Sequence, residues 1–186
     1  MSHFEYISVA IALVFALAVG RLLAGLSPSL ESGRRYSLHA AWVVGLLLAA
    51  VMQWWVIWRI SHVAWTPIRF LWALAIPGII FVRAGVLLSA HPDEVASFRD
   101  HFFAHRIQFF ALGVIGGIHA AMSPWVLGIV PWLEFAPVHP NTISLTVLST
   151  LGLIFKDARV HALIVLVSLL GVLSAFYVLP AVEPAA

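Results

Sequence analysis

The chain has 186 residues, of which 62% are hydrophobic and only 10% charged, and its formal net charge is +2; its mean hydropathy is +1.03. A soluble domain carries roughly a quarter of its residues as charges, so this composition excludes an ordinary water-soluble domain and makes membrane lipid the main solvent and first partner. The lack of cysteine excludes disulfides, iron–sulfur clusters, thiolate zinc sites and a cysteine nucleophile, and no basic run or aromatic–basic interleaving points to nucleic acid.

A helix needs about 20 apolar residues to cross a hydrocarbon core of about 30 Å. Runs of that order predict an all-α integral membrane protein of about six transmembrane helices in a single domain over 1–186. Helix 1 (about 4–26) follows no basic leader and is longer than a signal-peptide core, so it is expected to stay in the mature protein. A Ser2-x-x-Glu5 box opens it and the Ser27-Pro28 turn closes it. Helix 2 (about 37–60) has Ser37 as a candidate N-cap. Helix 3 (about 67–90) begins at Thr66-Pro67, a cap followed by proline in the first turn, and Pro77-Gly78 is expected to kink it. Helix 4 (about 92–122) opens on His91-Pro92-Asp93-Glu94, whose acids suit a helix N-terminus. The stretch from Ser123 to Pro140 contains Pro124, Pro131, Pro137 and Pro140 and reads as interfacial, anchored by Trp125 and Trp132. Helix 5 (about 141–155) is short, about 22 Å at 1.5 Å per residue. Helix 6 (about 159–179) follows a Lys156-Asp157-Ala158 turn and ends before Pro180.

Short cytoplasmic loops retain Lys and Arg. Arg34, Arg35, Arg99, Arg106, Lys156 and Arg159 fall in or beside loops 1–2, 3–4 and 5–6, with Arg21 and Arg83 near the same ends of their helices, whereas Arg59 and Arg69 lie on the other side. This split of eight against two predicts cytoplasmic odd loops and both termini outside a bacterial-type inner membrane. Trp54, Trp55, Trp58, Trp65, Trp125 and Trp132 fall near the predicted outer surface, as an aromatic belt does.

Histidine is the first candidate for chemistry. His105 and His119 are fourteen residues apart, on nearly one helix face and about 21 Å apart, a spacing similar to that of histidines holding two stacked haems in membrane b-type cytochromes. No second helix supplies a matching pair, because Gln53 follows His39 and Ala175 follows His161 at that interval. One haem b between His105 and His39 or His161 stays open, but no cofactor is expected. His39, His101, His105 and His161 otherwise read as interfacial residues, and His119 as bonding across helices. The doublet His101-x-x-x-His105 beside Asp100 lacks an obvious third zinc ligand, and no phosphate loop or nucleophile turn occurs. An enzyme is therefore the minority reading.

Arg83 sits about two turns inside the predicted cytoplasmic end of helix 3, where it either snorkels to the headgroups or marks a pathway. The stripe Thr142, Thr146, Ser149 and Thr150 on helix 5 lines a polar path with Gln53 and Arg83 in the second case. Small residues four apart form two ridges, Ala12, Ala16, Gly20 and Ala24 on helix 1 and Gly113, Gly117 and Ala121 on helix 4. Such ridges mark close backbone contacts in lipid, with helix 1 or a second copy of helix 4 as the expected partner of Gly113 and Gly117.

Phe4-Glu5-Tyr6-Ile7-Ser8-Val9, followed by Gly20, Leu22-Leu23 and Gly25, with Gln53-Trp54-Trp55 and Trp58 in the second helix, resembles small uncharacterised bacterial inner-membrane proteins. The resemblance implies a bacterial membrane setting and no particular activity. Three functions follow from the sequence: first a noncatalytic protein acting through helix-mediated association, as a homo-oligomer or a subunit of a membrane complex; then a channel or carrier for a small solute; and last a b-type cytochrome.

Overall fold

The computed structural model describes residues 3–31, 33, 35–89, 91–132, 134 and 140–178. Ser2, Arg34, Ala90, Pro137, Leu179 and Pro180, which carry expectations above, lie outside the described residues. Among the described residues the chain is helical, with no strand: α1 (His3–Ser29), α2 (Ser37–Ile57), α3 (Pro67–Leu87), α4 (Phe98–Val126), α5 (Pro140–Ile154) and α6 (Ala158–Val178), with short 3-10 turns at Trp58–Ile60 and Pro92–Glu94. Five of them, all but α5, are long and apolar enough to cross a membrane. Large apolar side chains such as Leu13, Leu17, Leu71, Ile115, Leu163 and Leu170 cover their outer faces. Water tolerates a surface of that kind poorly, and lipid tolerates it well.

Element boundaries follow local chemistry. Thr66 caps α3 by accepting the Arg69 N–H at 3.4 Å, ahead of Pro67, as its sequence predicts. On α2 the first residue is Ser37 itself, and the preceding Tyr36 makes no side-chain cap. Helix 4 begins later than the acids at Asp93 and Glu94 indicate. They occupy a separate 3-10 turn, and Ser97 caps α4 by accepting the Asp100 N–H at 3.3 Å. At its far end α4 runs through Pro124 to Val126, because a proline entering the last turn forfeits a single bond. For the same reason α1 passes Pro28, where the Ser29 hydroxyl bonds the Gly25 carbonyl at 2.6 Å. Pro77 likewise lies inside an unbroken α3.

Contacts run around a closed ring in the order α1, α3, α4, α5, α6 and α2, with α2 also touching α3. One apolar cluster joins α2, α3, α4 and α6 through Trp42, Leu46, Leu87, Phe102, Phe109 and Ile164. Another joins α1, α2 and α3 through Ile11, Phe15, Ala18, Ala50, Ala73 and Ile80. At this second end the rings of Trp58 and Trp54 meet Phe4 and Phe15 at 5.6 and 5.9 Å.

The most extensive interhelical contact is between α4 and α5. Gly113 and Gly117 are buried, and a Cβ on either would collide with α5, at Ser149 and Thr146 respectively. Gly152 of α5 in turn receives the Phe110 ring of α4. The partner of this ridge is therefore α5 in the same chain, not α1 or a second α4. The α1 ridge faces away from the bundle. Ala16, Gly20 and Ala24 are exposed, Ala12 is half-buried, and no atom lies within 4 Å of a Cβ built on Gly20. The larger α1 residues Ile7, Ile11, Phe15 and Leu22 take the inner face. Lipid exerts no hydrophobic preference between the two faces, so shape complementarity decides, and α1 closely meets Leu88, the residue after α3, at Gly25. Gly117→Leu is expected to destabilise the monomer by about 1–3 kcal/mol with the assembly size unchanged, measured by thermal unfolding and light scattering in detergent. A lower assembly mass at unchanged stability would place the ridge between copies.

Candidate functional site

Few polar side chains are buried, and they form a consistent set: Ser29, His39, Arg83, Arg106, His119, Ser149 and His161. Every Asp and Glu among the described residues is exposed. Among the described residues the interior thus contains two guanidinium groups, which stay charged at any physiological pH, and no buried carboxylate.

Arg106 is accounted for. It projects from α4 onto the end of α5, where its Nη1 donates to the carbonyls of Gly152, Leu153 and Phe155 at 2.7, 2.9 and 2.6 Å. The last carbonyls of a helix have no partner within it, and a cation there also meets the negative end of the helix dipole. The sequence reading placed Arg106 beside a loop. Its position between Phe102 and Phe110, four residues to either side and both buried, is the signal that assigns it to the inner face.

The histidines serve carbonyls in the same manner. Nε2 of His39 donates to Leu87, the last residue of α3, at 2.9 Å. Nε2 of His161 donates to Phe155 at 3.1 Å, and Nε2 of His119 donates to Trp72 at 2.9 Å while its ring stacks on that indole at 4.1 Å. The cross-helix bond expected of His119 is thus present. His105 turns its Nδ1 to the His101 carbonyl of its own helix at 2.9 Å. His105 and His119 therefore engage different neighbours, and among the described residues no three His, Asp or Glu side chains converge as a metal site.

Arg83 differs from all of these. It is 7% exposed and points into the bundle instead of snorkelling. Its Nε donates to the Phe109 carbonyl at 3.2 Å, and its Cζ lies 4.3 Å from the Phe109 ring centroid and 5.8 Å from that of Trp42, both cation–π distances. Gly113 gives it room, since a Cβ there would stand 3.0 Å from Nη2. Nη2 itself is buried without a hydrogen-bond partner.

Arg83 borders a cavity of about 50 Å³ between α2, α5 and α6, lined also by Trp42, Gly45, Leu145, Ser168 and Leu169. The indole Nε1 of Trp42 is a second buried donor without a partner. Other buried polar atoms without a partner, including Nδ1 of His39, His119 and His161, belong to residues outside this lining. An unpaired buried donor costs about 1–3 kcal/mol, and Arg83 and Trp42, which both line the cavity, each have a buried nitrogen without a partner. No imidazole or carboxylate lines the cavity among the described residues. The one charged side chain in the lining is thus a cation.

Of the polar path read from sequence, Arg83 and Ser149 come together at Gly113. Gln53 is half-buried on α2 and does not line the cavity. The Thr146 and Thr150 hydroxyls bond back to the carbonyls of Thr142 and Thr146 at 2.9 and 2.8 Å, and Thr150 faces outward. Trp42, Gly45 and Ser168 escaped the sequence reading because nothing in an apolar span distinguishes an inward residue before its neighbours are known. Comparison with protein-family models, curated proteins and solved structures finds no match for this chain.

Removal of the α5 cap provides a check. Arg106→Gln leaves up to three carbonyls under-bonded, each costing about 1–3 kcal/mol, and is expected to lower the thermal midpoint in detergent markedly. Arg106→Lys, which retains the charge without the guanidinium fork, is expected to recover part of the loss. An Arg106→Gln protein as stable as wild type would show that the cap contributes nothing.

Proposed function

We propose that this chain is a six-span bacterial inner-membrane protein with both termini outside, and that it works as a channel or carrier for a small anionic solute bound at Arg83. The observation that carries this reading is a nine-tenths buried guanidinium with an unpartnered Nη2, beside a cavity, in a bundle whose acids are all exposed among the described residues. A charge at depth is costly and is kept where a pathway or a paired group needs it. Among the described residues no acid is buried to pair with it, and the group that would do so is an anion.

The span count rests on α5. At about 22 Å it is shorter than the hydrocarbon core, but Arg106 and His161 satisfy its terminal carbonyls from within the bundle, as a short span requires. The orientation rests on the basic residues. Arg83 and Arg106 are buried and leave the count, so eight against two becomes six against two, with the same sign. The N-terminal resemblance supplies the bacterial setting. The α4 ridge that favours an association role on sequence grounds is occupied by α5, and this ranks the solute reading above it.

Full chain reconstituted into vesicles is expected to carry chloride, nitrate or formate down a gradient, and Arg83→Gln is expected to reduce that flux at least tenfold. Arg59→Gln, on the exposed 3-10 turn after α2, is expected to leave it intact. Flux that persists in Arg83→Gln, or that is absent for every anion tried, would contradict the reading.

A further inference from the structure

From the geometry of the cavity we infer its ligand class: a compact monovalent anion of a few heavy atoms, such as nitrate or formate, held jointly by Arg83 Nη2 and Trp42 Nε1, with Gly45 setting the size limit. The inference rests on the anion reading above and narrows it. Valence follows from charge. Arg83 is the one cation among the lining residues, and Arg106, the other buried guanidinium, is committed to three carbonyls at the end of α5. A dianion here would bring one uncompensated charge into a low-dielectric interior, where the cost is several kcal/mol.

Size follows from volume. A water needs about 10–15 Å³ measured on this scale, so a cavity of about 50 Å³ holds three or four water-sized groups. That matches a triatomic or tetratomic anion.

Shape follows from the donors. The Arg83 Cζ lies 5.8 Å from the Trp42 ring centroid, and Nη2 of the first and Nε1 of the second are donors without a partner. A single small centre bearing two acceptor oxygens satisfies both. Ser168 adds a hydroxyl to the same lining, and the remaining wall is aliphatic. Gly45 forms part of that wall. A Cβ there would rest 3.5 Å from Leu169, an ordinary contact, so alanine narrows the cavity without forcing the helices apart.

The test is isothermal titration of the purified full chain in detergent with sodium chloride, nitrate, formate, sulfate or succinate, with gluconate as the background anion. Wild type is expected to bind nitrate and formate at one per chain, and neither sulfate nor succinate. Trp42→Phe preserves the ring and removes the N–H, and it is expected to weaken nitrate about tenfold, the value of one hydrogen bond to an ion. Gly45→Ala is expected to lose nitrate and retain chloride. Arg83→Gln is expected to abolish binding; if that variant does not fold, Arg83→Lys is expected to weaken it.

Tight binding of sulfate or succinate that depends on Arg83 would leave the anion reading standing and overturn the compact monovalent class. Unchanged nitrate affinity in Trp42→Phe would overturn the second donor, and unchanged selectivity in Gly45→Ala would overturn the size limit. Failure of all five anions to bind, or wild-type affinity in Arg83→Lys, would remove the Arg83 reading itself.

Discussion

Backbone carbonyls at the end of a helix in lipid have no water to turn to, and the fold is arranged around meeting that need. Nη1 of Arg106 holds three of them at the end of α5, and His161 reaches the outermost of the three from α6. His39 does the same for the end of α3. Each bond crosses from one helix to another, so the groups that finish one helix also fix its neighbours. The opposite ends are served by acceptors, Thr66 for α3, Ser97 for α4 and Asp157 for α6, the last taking the Arg159 N–H at 2.7 Å. Donors at the C-termini, acceptors at the N-termini and a glycine-lined seam between α4 and α5 together hold the ring of helices closed.

Arg83 departs from this economy. It donates to Phe109 in the middle of α4, where the helix already provides a partner for the carbonyl, so no capping need explains it. Its burial beside Trp42 leaves a nitrogen on each without a partner, on residues that line one cavity, while Arg106, the other buried cation, caps α5. Stability alone favours replacing such an arrangement with apolar side chains of similar volume. Features that cost stability and persist are concentrated at functional sites, and a potential made positive by one unneutralised guanidinium in a low-dielectric surround attracts anions.

The sequence makes the helices legible and their facing much less so. Runs of about twenty apolar residues locate the five long helices, the Thr66-Pro67 signature marks the start of α3 to the residue, and the shortness of α5 is evident from its punctuation. What apolarity does not carry is direction. In water a helix reveals its buried face by its polar one; in lipid both faces are apolar, so the Ala16–Gly20 stripe of α1 looks as well suited to packing as Gly113–Gly117 of α4, yet only the second is buried. Hydroxyls mislead for a related reason, since Thr146 and Thr150 satisfy themselves on their own helix. Arg83 stood out from sequence because a charge inside a span is rare, whereas Trp42, its cavity partner, is one apolar residue among many. Arg106 was legible in principle, through the buried phenylalanines four residues to either side.

The central proposal, that a small anion binds at Arg83 and Trp42, is tested most directly by crystals of the full chain grown or soaked in bromide and measured at the bromine absorption edge. The account predicts an anomalous peak within hydrogen-bonding distance of Arg83 Nη2 in the cavity between α2, α5 and α6, absent from Arg83→Gln crystals that retain the fold. Density there that shows only water, or a guanidinium turned out to the surface, would contradict it.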